Sequence, residues 1–234
     1  LGHQEGCGYA TSHRITNLTK DGARWKVEVK DLSTKQTFTT KAKFVFIGAG
    51  GGSLPLLQKS GVTESKGFGG FPIGGQWLIC DKPEIVNKHL AKVYGLSPGA
   101  APTMAVPHLD TRIIDGKKSI LFGPYAAWTT KFLHVEGKLT DLPRSIRIDN
   151  IASLIKVGLY NIPLVRYLIQ QGTQSMKTRM KELKAFFPNA REEDWRLIDA
   201  GIRVQAIKKE DGDAGIVHFG TEVLTNEDLS LSTL

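Results

Sequence analysis

The sequence has little of what several common site classes require. Its two cysteines, Cys7 and Cys80, lie far apart and form no Cys-x-x-Cys pair, and its six histidines form no His-x-x-x-His pair. The usual sequence patterns of zinc sites are therefore excluded, and no metal site is predicted. Isolated cysteines of this kind favour free thiols in a reducing compartment.

Long apolar runs are also absent. The most apolar stretch, residues 151–169, is interrupted by Lys156, Pro163 and Arg166, whereas a membrane-spanning helix needs about 20 largely apolar residues. The stretch predicts two short helices, the second beginning near Pro163. Their apolar stripes favour packing in the core over insertion into a membrane, and consist of Ile151, Leu154, Ile155 and Leu159, then Leu164, Tyr167 and Leu168.

Charge of one sign is in excess, with 31 Lys and Arg against 23 Asp and Glu and a net charge of +8. The basic residues are dispersed and accompany no helix-turn-helix, zinc-finger or RNA-recognition pattern, so no nucleic-acid partner is expected. The densest basic run lies in a predicted helix that ends at Pro188. This run favours a solvated helix face, with adhesion to an anionic membrane as the alternative, and comprises Lys177, Arg179, Lys181 and Lys184.

The 234 residues suffice for one large or two small globular domains. The chain begins with Leu1 in a polar run that lacks a signal-peptide pattern. We therefore expect it to be an internal piece of a longer protein.

Residues 43–57, KFVFIGAGGGSLPLL, combine a buried-type strand, a glycine cluster and the start of a helix. Such a junction gathers backbone N–H groups at one point, which suits the phosphates of a dinucleotide. However, Gly48, Gly50 and Ser53 stand where the dinucleotide fingerprint needs three glycines. A predicted hairpin, Trp25–Val29 with Phe38–Thr40, precedes it. This order is typical of the late part of a flavoprotein nucleotide-binding domain.

The rest of the chain predicts mainly antiparallel strands with interspersed helices. Trp195–Ala200 predicts a helix that ends at Gly201. The remaining predicted elements are a strand at Phe71–Cys80, a helix at Pro83–Lys92, strands at Ala105–Ile114 and Ser119–Phe122, and a strand pair of Arg203–Ile207 with Ile216–Phe219.

Seven segments in unchanged order closely resemble the malate:quinone oxidoreductases: FVFIGAGGGSLPLLQKSG, GFPIGGQWLIC, HLAKVYG, VPHLDTRIIDGKKSILFGPYA, TKFL, EDWRLIDAGIRVQAIKK and FGTEV. The resemblance implies a flavoenzyme of the D-amino-acid-oxidase-like class that oxidises malate to oxaloacetate and passes electrons through FAD to a membrane quinone. It also implies a peripheral protein on the cytoplasmic side of the cell membrane, with an anionic membrane surface as a further partner.

The fold class expected from this resemblance is α/β in the mixed α+β sense. A partial FAD-binding Rossmann-like domain would carry an inserted substrate domain of antiparallel sheet plus helices. The expected boundaries are residues 1–66 for the FAD-binding part, 67–207 for the substrate domain and 208–234 for the return. The family's N-terminal glycine fingerprint and its closing Gly-Ala-Ser-Pro-Gly segment are absent from the sequence, so a non-catalytic, substrate-binding piece is the alternative function.

Malate carries two carboxylates and a secondary alcohol, so its site needs two cationic clamps and a base. Arg203, in Gly201-Ile202-Arg203, resembles the Gly-x-Arg element that binds the substrate carboxylate in this class, and its planar fork suits bidentate binding. The alternative is a surface arginine at a strand edge. Lys131 and Arg112 are candidates for the second clamp, with ordinary surface or structural charges as the alternative.

His108 is the preferred base, because it stands beside Pro107 at a predicted strand start and the pKa of histidine suits proton abstraction near neutrality. A structural histidine bonded to backbone is the alternative. His134 and His218 are weaker candidates in polar or turn-adjacent contexts.

The glycine cluster has two interpretations. Its backbone contacts FAD, or it allows a helix to pack tightly on a strand. Gln76 is placed near the flavin or malate, with a sheet-edge amide as the alternative. The predicted cofactor-binding residues are Gly48, Ala49, Gly50, Gly51 and Gln76.

Overall fold

The computed structural model describes residues 4–96, 106–208 and 223–233. Three sheets and several helices lie in these ranges, so the mixed α/β class is confirmed. The strands are β1 (His13–Asp21), β2 (Arg24–Asp31), β3 (Thr37–Ala42), β4 (Val45–Ile47), β5 (Gly69–Cys80), β6 (Lys92–Tyr94), β7 (His108–Ile114), β8 (Lys117–Trp128), β9 (Arg196–Ile207), β10 (Leu224–Thr225) and β11 (Leu231–Thr233). The helices are α1 (Ser53–Ser60), α2 (Pro83–Val86), α3 (Asp141–Ser145), α4 (Ile151–Tyr160), α5 (Ile162–Gly172) and α6 (Met176–Phe186).

The first sheet is an antiparallel meander in the order β1-β2-β3. The predicted hairpin is confirmed, since Val29 lies opposite Phe38. Alternation along β2 buries Trp25, Val27 and Val29. The sequence pattern does not reveal β1, because HRITNLTKD is mostly polar and its pairing shifts register after Ile15.

A second, small sheet joins distant parts of the chain. Strand β4 pairs in parallel with β11, and β11 pairs antiparallel with β10. Leu57 of α1 is buried with Ile47 of β4, Leu231 of β11 and Trp25 of the meander in one hydrophobic cluster. This core holds the glycine junction between β4 and α1 in place.

The largest sheet is antiparallel, with the order β6-β7-β8-β5-β9. Leu78, Leu109 and Phe122 from its three central strands are buried with Leu183 of α6. Because side chains alternate along a strand, the neighbours of these residues, including Trp77 and His108, lie on the opposite face.

The predicted helix at Trp195–Ala200 is wrong. Residues from Arg196 onward belong to β9, in which Leu197 lies opposite Leu78. The edge of β5 supplies backbone partners for Arg196–Asp199, and tertiary pairing outweighs local helix preference. Arg203–Ile207 is a strand as predicted, but it pairs with β5, and its predicted partner Ile216–Phe219 lies outside the described residues.

Other predicted elements are present with different ends. The strand predicted at Phe71–Cys80 begins at Gly69, and the strand predicted at Ser119–Phe122 runs from Lys117 to Trp128. The helix predicted at Pro83–Lys92 ends at Val86, where the backbone bonds tighten to i→i−3 at Lys88 and His89 before Lys92 begins β6.

The prediction that the apolar stripe of α4 lies in the core is wrong. The exposed residues of this helix include Ile151, Ile155 and Leu159, whereas Ser153 and Val157 are buried. The basic run of α6 is solvated as predicted at its three lysines. Arg179 of the same run is instead only 1% exposed.

Candidate active site

The glycine junction contains two kinds of glycine. A Cβ at Gly51 would lie 1.9 Å from the carbonyl oxygen of Phe132, so the close approach of the junction to that backbone excludes any side chain. Gly50 has a φ of +54° with open space around it, and Gly48 and Ala49 are also exposed. Packing therefore explains Gly51. Ala49 donates its N–H to Ser53 Oγ at 3.1 Å, so Gly48 and Gly50 present the exposed backbone that is accessible to a cofactor.

Two predicted clamps lie near this junction. Gly51 approaches both Phe132 and Val204, since a Cβ there would lie 3.0 Å from Val204 Cγ2. Lys131 and Arg203 directly precede these two residues in the chain. The backbones of the glycine junction, Lys131 and Arg203 therefore lie at the same end of the five-stranded sheet, but the side chain of Arg203 points to the face of β9 opposite Val204 and the junction.

His108 and Arg112 lie together on β7, around Trp77. The ring centroid of Trp77 is 5.0 Å from that of His108 and 5.3 Å from the guanidinium carbon of Arg112. The ring of Tyr94, directly opposite His108 on the neighbouring strand β6, lies 4.9 Å from the His108 ring. Arg112 Nε donates to Asp110 Oδ2 at 2.7 Å. This group forms a second cationic and aromatic cluster on the sheet.

The surroundings of His108 define its protonation. Nδ1 lies 3.2 Å from the carbonyl oxygen of Val106, so in the neutral ring Nδ1 carries the proton and donates it, and Nε2 keeps the lone pair. Burial lowers the pKa of His108 and outweighs the opposing effect of that hydrogen bond. A neutral imidazole with an available Nε2 can accept a proton, although the same backbone bond also matches a structural role.

The two groups share a face of the sheet but are well separated. Arg203 lies opposite Ile73, and Trp77 follows Ile73 by four residues on the same strand, so all three point to one side. At about 4.8 Å per strand and 3.3 Å per residue, the backbones of His108 and Arg203 are about 14 Å apart across the sheet and about 13 Å apart along it. The four predicted catalytic residues therefore form two pairs.

Gln76 belongs to a third arrangement, a polar network beneath the sheet. Its Oε1 accepts from Nη2 of Arg179 at 2.9 Å, and its Nε2 donates to Asp199 at 3.1 Å. Arg179 Nη2 also donates to the carbonyl oxygens of Gln171 and Gly172 at the end of α5. Burial lowers the pKa of Arg179. The orientation of the Gln76 amide is thus fixed by its neighbours.

Sequence reasoning missed Trp77, Tyr94 and Asp110. His108, Asp110 and Arg112 occupy every second position of the sequence, and in a strand such residues lie on the same face. This spacing could have identified Asp110. Trp77 and Tyr94 join the cluster only through strand pairing, which the sequence does not specify. His134 is exposed in the loop after β8, and His218 lies outside the described residues.

The described ranges contain neither a metal-binding cluster nor a continuous membrane-spanning helix. No group of three or more His, Cys, Asp or Glu residues is arranged there to hold a metal ion. No single helix among those residues is long and apolar enough to cross a membrane. Helices α4 and α5 meet the length and composition criteria only as a pair bent by 75°.

Comparison with known proteins identifies the family. Residues 1–234 match the family model described as malate:quinone oxidoreductase (Mqo). The chain is 52% identical to probable malate:quinone oxidoreductase 1 of Pseudomonas putida, covering 95% of this chain and 44% of that protein. It is 51% identical to the probable malate:quinone oxidoreductase of Helicobacter hepaticus, covering 100% of this chain and 47% of that protein.

The chain thus spans a little under half the length of these curated relatives. A weaker likeness links it to the solved structure of glycerol-3-phosphate dehydrogenase from Bacillus halodurans complexed with FAD, with a TM-score of 0.48 and 15% identity over 94% of this chain and 34% of that one. The match of the family model over every residue is decisive. This chain belongs to the malate:quinone oxidoreductase family.

Proposed function

We propose that a protein containing this chain oxidises (S)-malate to oxaloacetate, as in the tricarboxylic acid cycle, and delivers the electrons through FAD to a membrane quinone. The family match supports this reaction. The structural observation that carries it is the approach of the glycine junction to Val204, beside Arg203. Val204 faces the junction and Arg203 faces the other side of β9, so an accessible backbone suited to phosphates and a fork suited to carboxylates lie at one end of the sheet on opposite faces.

The proposed roles follow the two pairs of residues. Arg203 binds one malate carboxylate and Lys131, at the same end of the sheet, binds the other. Arg112 is the clamp of the alternative site beside His108. His108 Nε2 accepts the hydroxyl proton of a malate held by Arg112 at that site, because the His108 backbone is about 19 Å from that of Arg203. FAD, when bound, accepts the hydride from C2 of malate. The backbone of Gly48 and Gly50 contacts this cofactor, while Gly51 seats the junction and Gln76 lies close to the flavin or malate.

Kinetics of a polypeptide of the relatives' full length tests the reaction. Malate should reduce a quinone-type dye only when FAD is bound, and a complete protein without FAD-dependent reduction would overturn the proposal. Arg203→Met should lower kcat/KM by about 100-fold through lost positioning. His108→Gln should lower kcat by about 100-fold or more and remove the titration of the base from the pH profile.

A second proposal concerns the chain alone. Because it spans less than half of its relatives, we propose that it is non-catalytic in isolation and binds substrate at most. A flavin absorbance spectrum of the purified chain separates this from the complete activity. A panel of 2-hydroxy acids tests the remaining alternative, a related FAD-dependent oxidoreductase with another substrate.

The proposed location is the cytoplasmic side of the cell membrane, as a peripheral protein. A quinone dissolved in a bilayer is accessible from the membrane surface, and anionic lipids attract basic segments. Vesicle binding by the complete protein tests this location independently of catalysis.

A further inference from the structure

We propose that α4 and α5 form the surface that enters an anionic lipid leaflet. The α4–α5 surface is defined as the exposed apolar side chains of Ile148, Ile151, Ile155, Leu159, Tyr160, Ile162 and Ile169. This inference rests on the proposed function only for the choice of a membrane as the partner, and it names the residues that contact that membrane.

Helix α4 is oriented with its apolar side outward. Ile151, Ile155 and Leu159 recur every four residues, so they lie within about 80° of one another around the helix. Val157, on the opposite side, is only 1% exposed, whereas Ile155 and Leu159 are 55% and 63% exposed. Surface helices of globular proteins ordinarily show the reverse arrangement.

The exposed apolar residues continue beyond α4. Ile148, just before the helix, is 98% exposed, Tyr160 stands at the bend, and α5 adds Ile162 and Ile169. Single exposed apolar residues are normal on protein surfaces. Several exposed apolar side chains on two consecutive short helices instead mark an interaction site.

The charge around this surface selects an anionic bilayer. Between residues 147 and 172 the charged side chains are Arg147, Asp149, Lys156 and Arg166, all exposed, so three cations stand against one carboxylate. Cations with long apolar stems can reach lipid phosphates while neighbouring side chains enter the acyl boundary. Two short helices that meet at a 75° bend are suited to lie flat in the headgroup region of a bilayer, but not to cross it.

The α4–α5 surface is held firmly by the five-stranded sheet. Leu154 of α4 packs against Gly69 of β5, where there is no side chain. A Cβ at Gly69 would lie only 2.8 Å from Cδ2 of Leu154. Gly172 of α5 packs against Ala127 of β8, and Arg179 binds the last carbonyls of α5. Contact with a membrane would therefore orient the sheet that carries Arg203 and His108.

Co-sedimentation with vesicles tests the proposal in a full-length polypeptide with bound FAD. Vesicles of phosphatidylcholine with phosphatidylglycerol should bind it more strongly than phosphatidylcholine alone. The double variant Ile155→Ser, Leu159→Ser should lower the partition coefficient by about tenfold or more. The matched control is Ile113→Ser, Ile114→Ser, two exposed isoleucines of the β7–β8 hairpin, which should bind as the unchanged protein does.

Two further measurements distinguish the α4–α5 surface from the basic face of α6 as the site of lipid contact. Lys156→Glu, Arg166→Glu should weaken binding more than Lys177→Glu, Lys181→Glu on α6. Tryptophan placed by Leu159→Trp should be quenched by brominated lipids. Unchanged vesicle binding by the α4 serine variant, or no vesicle binding by the complete protein, would overturn the α4–α5 surface.

Failure of the proposed reaction would give a different result. Malate-dependent reduction of a water-soluble dye reports folding and catalysis without requiring a membrane. Its loss with intact vesicle binding would therefore count only against the proposed reaction and would leave the α4–α5 surface supported.

Discussion

Helices α4 and α6 are similar in length and pack on the same sheet in opposite ways. The apolar α4 turns isoleucines toward solvent and buries Ser153 and Val157, whereas the basic α6 turns lysines outward and buries Arg179. Arg179 is held inside because Gln76 and the end of α5 accept from its Nη2 and Gln174 accepts from its Nε, although its buried Nη1 has no hydrogen-bond partner among the described residues. Burial is thus decided by the partners that the fold supplies, beyond residue type alone.

The largest effect is expected from removing the buried guanidinium. Arg179→Met leaves the carbonyls of Gln171 and Gly172 without this donor, and we expect the free energy of unfolding to fall by about 3 kcal/mol. Arg179→Lys should recover only part of this, because it removes the bond from Nε to Gln174 and the planar guanidinium that lies 4.4 Å from the ring centroid of Tyr125. The control Lys181→Met should change stability by less than about 0.5 kcal/mol. Urea unfolding measures the free energy of all three variants. A loss below about 1 kcal/mol for Arg179→Met would mean that the packing of α6 is not stabilised by Arg179.

A pair of alanine variants tests the orientation of α4. Val157→Ala should cost about 2 kcal/mol because it leaves a cavity against the sheet. Ile155→Ala should cost less than about 0.5 kcal/mol in the absence of lipid, because its side chain is exposed. The two unfolding free energies, compared in urea, would reverse their order if the apolar stripe faced the core.

A smaller gain is expected at Gly158 within α4. No atom lies within 4 Å of a Cβ built there. Gly158→Ala should therefore raise the free energy of unfolding by about 0.5–1 kcal/mol through lower backbone entropy in the unfolded chain. Thermal unfolding provides the measurement, and a lower midpoint would indicate a packed neighbour on this side of α4.

The smallest effect concerns Asp194, a buried carboxylate that is paired with the charged Lys82, whereas Arg179 is bonded to neutral acceptors. Lys82 Nζ lies 2.6 Å from Asp194, and this hydrogen bond lowers the pKa of the Asp194 carboxyl. A carboxyl with a lowered folded pKa contributes stability above its unfolded pKa of about 4 and loses it as the pH falls through the folded pKa. Asp194→Asn should therefore flatten the fall in unfolding free energy below about pH 4. Equal slopes for both proteins in a pH series of urea titrations would contradict this.

The fold was predictable where alternation is strong and local. Trp25, Val27 and Val29 alternate in a way that specifies β2, and its hairpin partner follows. In contrast, Arg196–Ala200 becomes a strand because it pairs with β5, and the Gln76–Asp199 bond within that pairing joins residues 123 positions apart. No pattern in a short window contains this information.

The candidate site was predictable to a similar extent. The motif predicts a glycine junction, and the Gly-x-Arg element predicts a carboxylate-binding role for Arg203. The contact of Gly51 with Phe132 and the 103-residue separation between Arg179 and Gln76 arise only from packing. Residue types therefore indicate the chemistry, while strand register decides which residues meet.

The parallel pairing of β4 with β11 determines the order in which parts of this chain can fold. Its closing bond, from Thr233 Oγ1 to the carbonyl of Ile47, joins residues 186 positions apart. The entropic penalty of such a closure grows with loop length and falls when the intervening chain is already compact. The five-stranded sheet should thus form first during synthesis, and the glycine junction should reach its final conformation only after β11 has left the ribosome.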